Sequence, residues 1–139
     1  MTDDAGAVAA YEQVVAVQPS DLDDLGHVNN VVYVRWVMDA ATAHWTQLST
    51  PAMRAGVAWV VVRHEIDYLA AAMPGDAVTV RTRVGLRDGI TYERLTELSR
   101  VGDGKPLARS RTLWAPVDPA TGRVKRIPAE VRALVSTNA

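Results

Sequence analysis

Apolar residues recur at steps of three and four between residues 31 and 48. Val34, Val37, Met38, Ala41, Trp45 and Leu48 fall along one side of a helix, with Arg35, Asp39, Thr42 and Thr46 on the other. Asn29 and Asn30 stand immediately before this run, and both are residue types that cap helix starts. Elsewhere the pattern is that of strands. Residues 11–17 predict a first strand, ended by Pro19 and Ser20, and residues 57–69 a long second one rich in β-branched and aromatic side chains. Pro74-Gly75-Asp76 then turns the chain. Beyond it, Val78, Val80, Val84 and Leu86 share one face, with Thr79, Arg81, Arg83 and Arg87 on the other, the pattern of a half-buried strand. Asp88-Gly89 is a hairpin signal leading into a strand over residues 90–100. A turn at 102–105 and a strand over 107–117 follow, and residues 128–135 predict a short closing helix.

The order is one strand, one long helix, then four strands joined mostly by tight turns, which force antiparallel neighbours. A single helix with one apolar face, followed by a meander, predicts an α+β domain whose sheet wraps over that helix. At 139 residues the chain is expected to form one domain spanning 1–139, with the small, acidic first ten residues as a frayed terminus. Its balance of 48% hydrophobic and 22% charged residues is that of an ordinary globular protein. A formal charge of −1 argues against a general nucleic-acid or membrane-surface partner. With no cysteine, thiolate nucleophiles, disulfides and cysteine zinc sites are excluded. The start lacks the basic and apolar regions of a secretory signal, and no apolar window is long enough to span a bilayer, so a cytoplasmic location is expected.

Polar chemistry is densest just ahead of the long helix, at Asp21, Asp23, Asp24, His27, Asn29 and Asn30. A helix start offers unpaired N–H groups and the positive end of the helix dipole, which stabilise an oxyanion forming on a carbonyl. A carboxylate held beside them can attack that carbonyl or activate water. By spacing alone, the strong cap and turn preferences of these residue types favour a structural role over a catalytic one. Other candidates carry less. His44 lies within the helix, and His64 and Glu65 point to opposite faces of a strand, so they do not chelate one metal together. No metal site is expected, and the Gly-Lys pair at 104–105 reads as a hairpin turn.

The stretch Asp21-Leu22-Asp23-Asp24-Leu25-Gly26-His27-Val28-Asn29-Asn30-Val31-Val32-Tyr33 closely resembles the signature of the 4-hydroxybenzoyl-CoA thioesterase family. Arg63-His64-Glu65-Ile66-Asp67-Tyr68-Leu69 with Pro74-Gly75-Asp76, and Val117-Asp118-Pro119-Ala120-Thr121-Gly122-Arg123 with Ile127-Pro128, extend the resemblance over about residues 12–135. The resemblance implies a hotdog fold, an antiparallel five-stranded sheet wrapped around one long central helix. It also implies hydrolysis of an acyl-coenzyme A thioester. Asp23 takes the place of the family's catalytic carboxylate, and Asn30 that of the backbone N–H which polarises the thioester carbonyl. Gly26, His27, Asn29 and Tyr33 would line the site, while Asp21 and Asp24 become turn or surface residues. Arg63 and Arg81, among the strand arginines, are the expected contacts to coenzyme A phosphates. No cofactor is required, coenzyme A being part of the substrate, and an active site between subunits implies a homodimer or homotetramer. The alternatives within reach of the same residues are a hotdog acyl-thioester dehydratase and a non-catalytic acyl-CoA-binding sensor. Two departures from the family pattern stand out: Ala70-Ala71-Ala72-Met73 where relatives often place a proline, and no phenylalanine, with Trp36, Trp45, Trp59 and Trp114 supplying aromatic bulk.

Overall fold

Asn29 sits in extended backbone, and its Oδ1 accepts from the Val31 N–H at 3.1 Å, which opens the helix α1 (Asn30–Leu48). The computed structural model describes residues 8–138; the first seven, most of the stretch expected to fray, lie outside them. Before α1 runs β1 (Tyr11–Ala16), and after it come α2 (Pro51–Gly56), β2 (Ala58–Tyr68), β3 (Ala77–Asp88), β4 (Thr91–Arg100), β5 (Pro106–Val117) and α3 (Ala129–Val135). The short α2 was not anticipated, although its start is a Thr-Pro signal: Thr50 Oγ1 accepts from Met53 N–H, with Pro51 in the first turn.

The five strands form one antiparallel sheet in the order β1-β3-β4-β5-β2. This corrects the expected meander, because β2 does not pair with β3. It lies at the far edge against β5, and residues 69–76 carry the chain back across the end of the sheet. That connection is held by its backbone rather than by a tight turn. Leu69 and Ala70 N–H groups both donate to Leu107 C=O, Ala72 N–H donates to the Tyr33 hydroxyl at 2.7 Å, and Ala71 C=O accepts from Arg100. Ala72 is fully buried, which explains the small residues there: a larger side chain would meet α1 and the inner sheet face.

The inner face packs on α1. Val28, Val32, Tyr33, Trp36, Val37 and Ala40 meet Val78, Val80, Leu98, Leu107 and Ala108. The helix is therefore turned relative to the expected face. Val34, Met38, Trp45 and Leu48 are half-buried, while Ala40 and His44 occupy the centre. A second correction concerns Leu86, which points outward. The β3–β4 register shifts between Val84 and Arg87, so the inward alternation ends at Val84. Gly85 sits in this bulge, where a Cβ would clash with the Glu93 carboxylate. The second cluster, Val57, Tyr92, Ile127, Val131 and Val135, seats α3 beside the other end of the sheet.

Candidate active site

Residues 21–30 build a loop closed on itself. An isolated bridge joins Leu22 to Val28, Asp23 N–H donates to His27 C=O at 2.7 Å, and Gly26 N–H donates to Asp23 C=O at 3.0 Å. Gly26 takes φ +76°, a conformation in which a Cβ crowds the following carbonyl, so glycine is needed for this turn. The loop then feeds α1 through Val28, whose N–H donates to Ala72 C=O.

Within this frame the Asp23 side chain is both fixed and open. Its Oδ1 accepts from Leu25 N–H at 2.9 Å and from His27 N–H at 3.2 Å. Among the described residues Oδ2 takes no hydrogen bond, and the side chain faces solvent. Asn30, the first residue of α1, has an exposed N–H with no acceptor among the described residues. Its C=O accepts from the Tyr68 hydroxyl at 3.3 Å, tying the helix start to the end of β2. Asp23, Gly26, His27, Asn29 and Asn30 thus share one short segment. The Asn29 side chain is occupied by its capping bond.

Two neighbours are placed otherwise than expected. Asp21, expected as a turn or surface residue, closes the 3-10 turn Pro19–Asp21 but is buried. Burial pushes its pKa up, but the Gln18 N–H and the Arg35 guanidinium 2.9 Å from Oδ1 outweigh that and hold the carboxyl below its usual range. Tyr33 is also buried, and its hydroxyl accepts from Ala72 N–H, so it holds the loop's support in place. Asp24 is exposed, as expected.

Arg63, Arg81, Arg109 and Arg111 lie on the outer sheet face, among carboxylates. One row crosses all five strands in register: Glu12, Arg81, Glu97, Arg109, Asp67. Arg81 meets Glu12 at 3.2 Å, Arg109 meets Asp67 at 3.3 Å, and Arg63 meets Glu65 at 3.5 Å. Arg111 bridges Glu65 and Glu93. Burial raises the Glu93 pKa, but Arg111 and the Leu86 N–H lower it by more. Arg63 and Arg81 are therefore each held in an ion pair on the outer sheet face.

Residues 17–135 match the family model of the thioesterase-like superfamily. The chain belongs to that superfamily. The resemblance carried by residues 21–33 is thus borne out at the level of the family, and the reaction class is thioester hydrolysis. No curated protein matches the sequence. Solved structures share its hotdog fold. A thioesterase complexed with coenzyme A and zinc from Thermus thermophilus is 27% identical, with a TM-score of 0.78 over 89% of this chain and 95% of that one. A predicted thioesterase from Bacillus stearothermophilus is 25% identical, with a TM-score of 0.79 over 91% and 94%. A 4-hydroxybenzoyl-CoA thioesterase mutant complexed with 4-hydroxybenzoyl-CoA is 19% identical, with a TM-score of 0.81 over 91% and 99%.

A second feature of this superfamily member was not visible in the sequence. At the other end of α1 lies a cavity of about 250 Å³, walled by Trp45, Trp59, Tyr92 and Trp114, with Thr42 and Arg94 among its lining residues. The rings of Trp45 and Trp59, and of Trp59 and Tyr92, meet edge to face at 5.6 and 5.4 Å. Arg94 is only 7% exposed and forms no ion pair among the described residues. Its Nη1 donates to His44 Nδ1 at 2.8 Å and to Thr82 Oγ1 at 3.2 Å. Burial lowers its pKa to about 10, which leaves it charged at neutral pH. Burial, then the Arg94 charge, lower His44 to about 4, so His44 is neutral and accepts at Nδ1. Among the described residues no group of three His, Cys, Asp or Glu is placed to hold a metal ion, and no helix is long and apolar enough to cross a membrane.

Proposed function

We propose that this chain hydrolyses the thioester of an acyl-coenzyme A, with Asp23 as the catalytic carboxylate and the Asn30 N–H as the oxyanion donor. The reading is carried by one observation: a solvent-facing carboxylate with one oxygen locked by two backbone N–H groups and the other without a partner among the described residues, in the short loop that leads into the N-terminus of α1. The carbonyl oxygen of the thioester accepts from Asn30, a contact worth about 3 kcal/mol in the transition state for one well-placed donor. Asp23 Oδ2 takes a proton from water, the water oxygen bonds to the carbonyl carbon, and the C–S bond breaks. The products are the carboxylic acid and the coenzyme A thiol, which takes the proton. Coenzyme A as carrier is supported by its presence in the Thermus thermophilus structure and by 4-hydroxybenzoyl-CoA in another.

The working unit is a homodimer joined along β2. Among the described residues that strand leaves one edge unpaired, and it shows Val60, Val61 and Val62 at 43%, 40% and 53% exposure, an apolar edge that soluble proteins ordinarily cover. A two-fold pairing of β2 with its copy covers it symmetrically. The test is thiol release from a panel of acyl-CoAs. Asp23→Asn is expected to lower kcat by about a thousandfold or more while retaining fold and binding, with Asp24→Asn near wild type. A near-wild-type rate in folded Asp23→Asn sinks the assignment. Binding without turnover in the wild type would point to a sensor instead.

A further inference from the structure

The bonds inside the loop over residues 21–30 fix the Asp23 carboxylate relative to the loop. A reaction shared by Asp23 and the Asn30 N–H also needs the loop fixed relative to α1. Asp21 makes that connection at two points. Its C=O accepts from Asn29 N–H at 2.8 Å, immediately before the helix, and its Oδ1 accepts from Arg35 Nη2 at 2.9 Å, in the second turn. Arg35 stands about 7.5 Å beyond Asn30 along the axis at the helical rise. Two points so separated set both the height and the tilt of the incoming chain against the helix. Among the described residues no other side-chain hydrogen bond joins residues 18–28 to α1. From Asp21 the chain runs extended through Leu22, which bridges to Val28, so Asp23 stands roughly 7 Å further on at the strand rise. A tilt at Asp21 is therefore delivered to the Asp23 carboxylate.

Two donors converge on the Asp21 carboxylate, Gln18 N–H on Oδ2 at 2.8 Å and Arg35 on Oδ1. An amide in its place offers a single oxygen and turns an N–H₂ group toward the second donor, so the site demands a carboxylate. The two partners differ in exposure: the Asp21 side chain is 3% exposed and that of Arg35 55%. Arg35 can thus be exchanged from the solvent side without opening the core, while the buried Asp21 then loses one of its two donors. Tolerance for displacement at a reacting carboxylate is small, since a misplacement of about 1 Å can cost roughly a hundredfold in rate. An ion pair that only stabilised the fold would lower Tm and leave kcat of the folded protein unchanged.

We propose that Asp21 and Arg35 are positioning residues, an ion-pair latch that holds the Asp23 carboxylate in register with the Asn30 N–H at the start of α1. Their part in the reaction rests on the hydrolase reading above, and the test separates the two. Arg35→Met, or Arg35→Gln should the first fail to fold, is assayed by thiol release from 4-hydroxybenzoyl-CoA and hexanoyl-CoA, well below the Tm of the variant. For the thioesters that wild type cleaves, kcat is expected to fall about tenfold or more, with KM within about twofold of wild type. Arg35→Lys keeps the charge for a contact made through one nitrogen and is expected to recover most of the loss. Amide relaxation order parameters of Asp23, Leu25 and His27 are expected to fall in Arg35→Met, with those of residues 36–45 unchanged. A lowered Tm with wild-type kcat overturns the latch, as do unchanged order parameters in the loop or a lysine variant no better than the methionine one. Should wild type cleave neither thioester, the hydrolase reading fails, and the order parameters still decide the latch. Loosening confined to the loop then upholds it, and unchanged order overturns it.

Discussion

Acid should unlock this fold at His44 before it reaches most carboxylates. His44 is 2% exposed, stacks on Tyr11 and accepts from Arg94, so a proton on it must be buried beside a fixed cation. Its pKa falls from the ordinary 6.5 to about 4, through burial first and the Arg94 charge second. In the unfolded chain the imidazole protonates near 6.5. Between those values the unfolded state binds more protons than the folded state, so stability falls as pH falls. The contribution is intact above about pH 6.5, is lost progressively down to about pH 4, and totals about 3 kcal/mol. His44→Gln keeps an acceptor for Arg94 and removes the titration. Urea unfolding followed by circular dichroism, at one fixed protein concentration from pH 7.5 to 4.5, should show wild type losing about 2–3 kcal/mol more than the variant. The lowered carboxyls of Asp21 and Glu93 act in both proteins and cancel in the difference. Parallel curves for the two proteins, or a His44 proton resonance titrating near 6.5, would refute the account.

Two further outcomes follow from the support of the site. Tyr33→Phe leaves the buried Ala72 N–H without its acceptor and should cost about 1–3 kcal/mol, read as a fall in Tm by calorimetry; an unchanged Tm would show that the bond contributes nothing. Val60→Lys with Val62→Lys on β2 should shift sedimentation from dimer to monomer and abolish turnover with it, and a double variant that remains a fully active dimer would exclude this edge.

The helix start was legible because its signals are local. Asn29 as cap, Gly26 at positive φ and the Asp23 turn all act within a few residues, and the periodicity that follows belongs to one element. What lay hidden was non-local. Alternation along β3 cannot show that Gly85 bulges against Glu93 and turns Leu86 outward. The helix face was misjudged because Ala40 and His44, small and polar, occupy its centre, while bulkier Val34 and Met38 lie at its margin. The position of β2 beside β5 depends on a crossover held by Leu107, Tyr33 and Arg100, none adjacent to it in sequence. The arginines reveal their carboxylate partners only once five strands are in register.

The loop over residues 21–30 draws nearly all its internal bonds from within ten residues, whereas the cavity borrows walls from α1, α3 and the four strands β2 to β5. Substitution therefore reaches the two very differently. Exchanging Trp114 or Val84 reshapes the cavity without touching any atom that orients Asp23, and the loop can be copied whole into a chain with different walls. A scaffold of this kind can change what it accepts through single distant replacements, keeping its chemistry constant while its diet drifts.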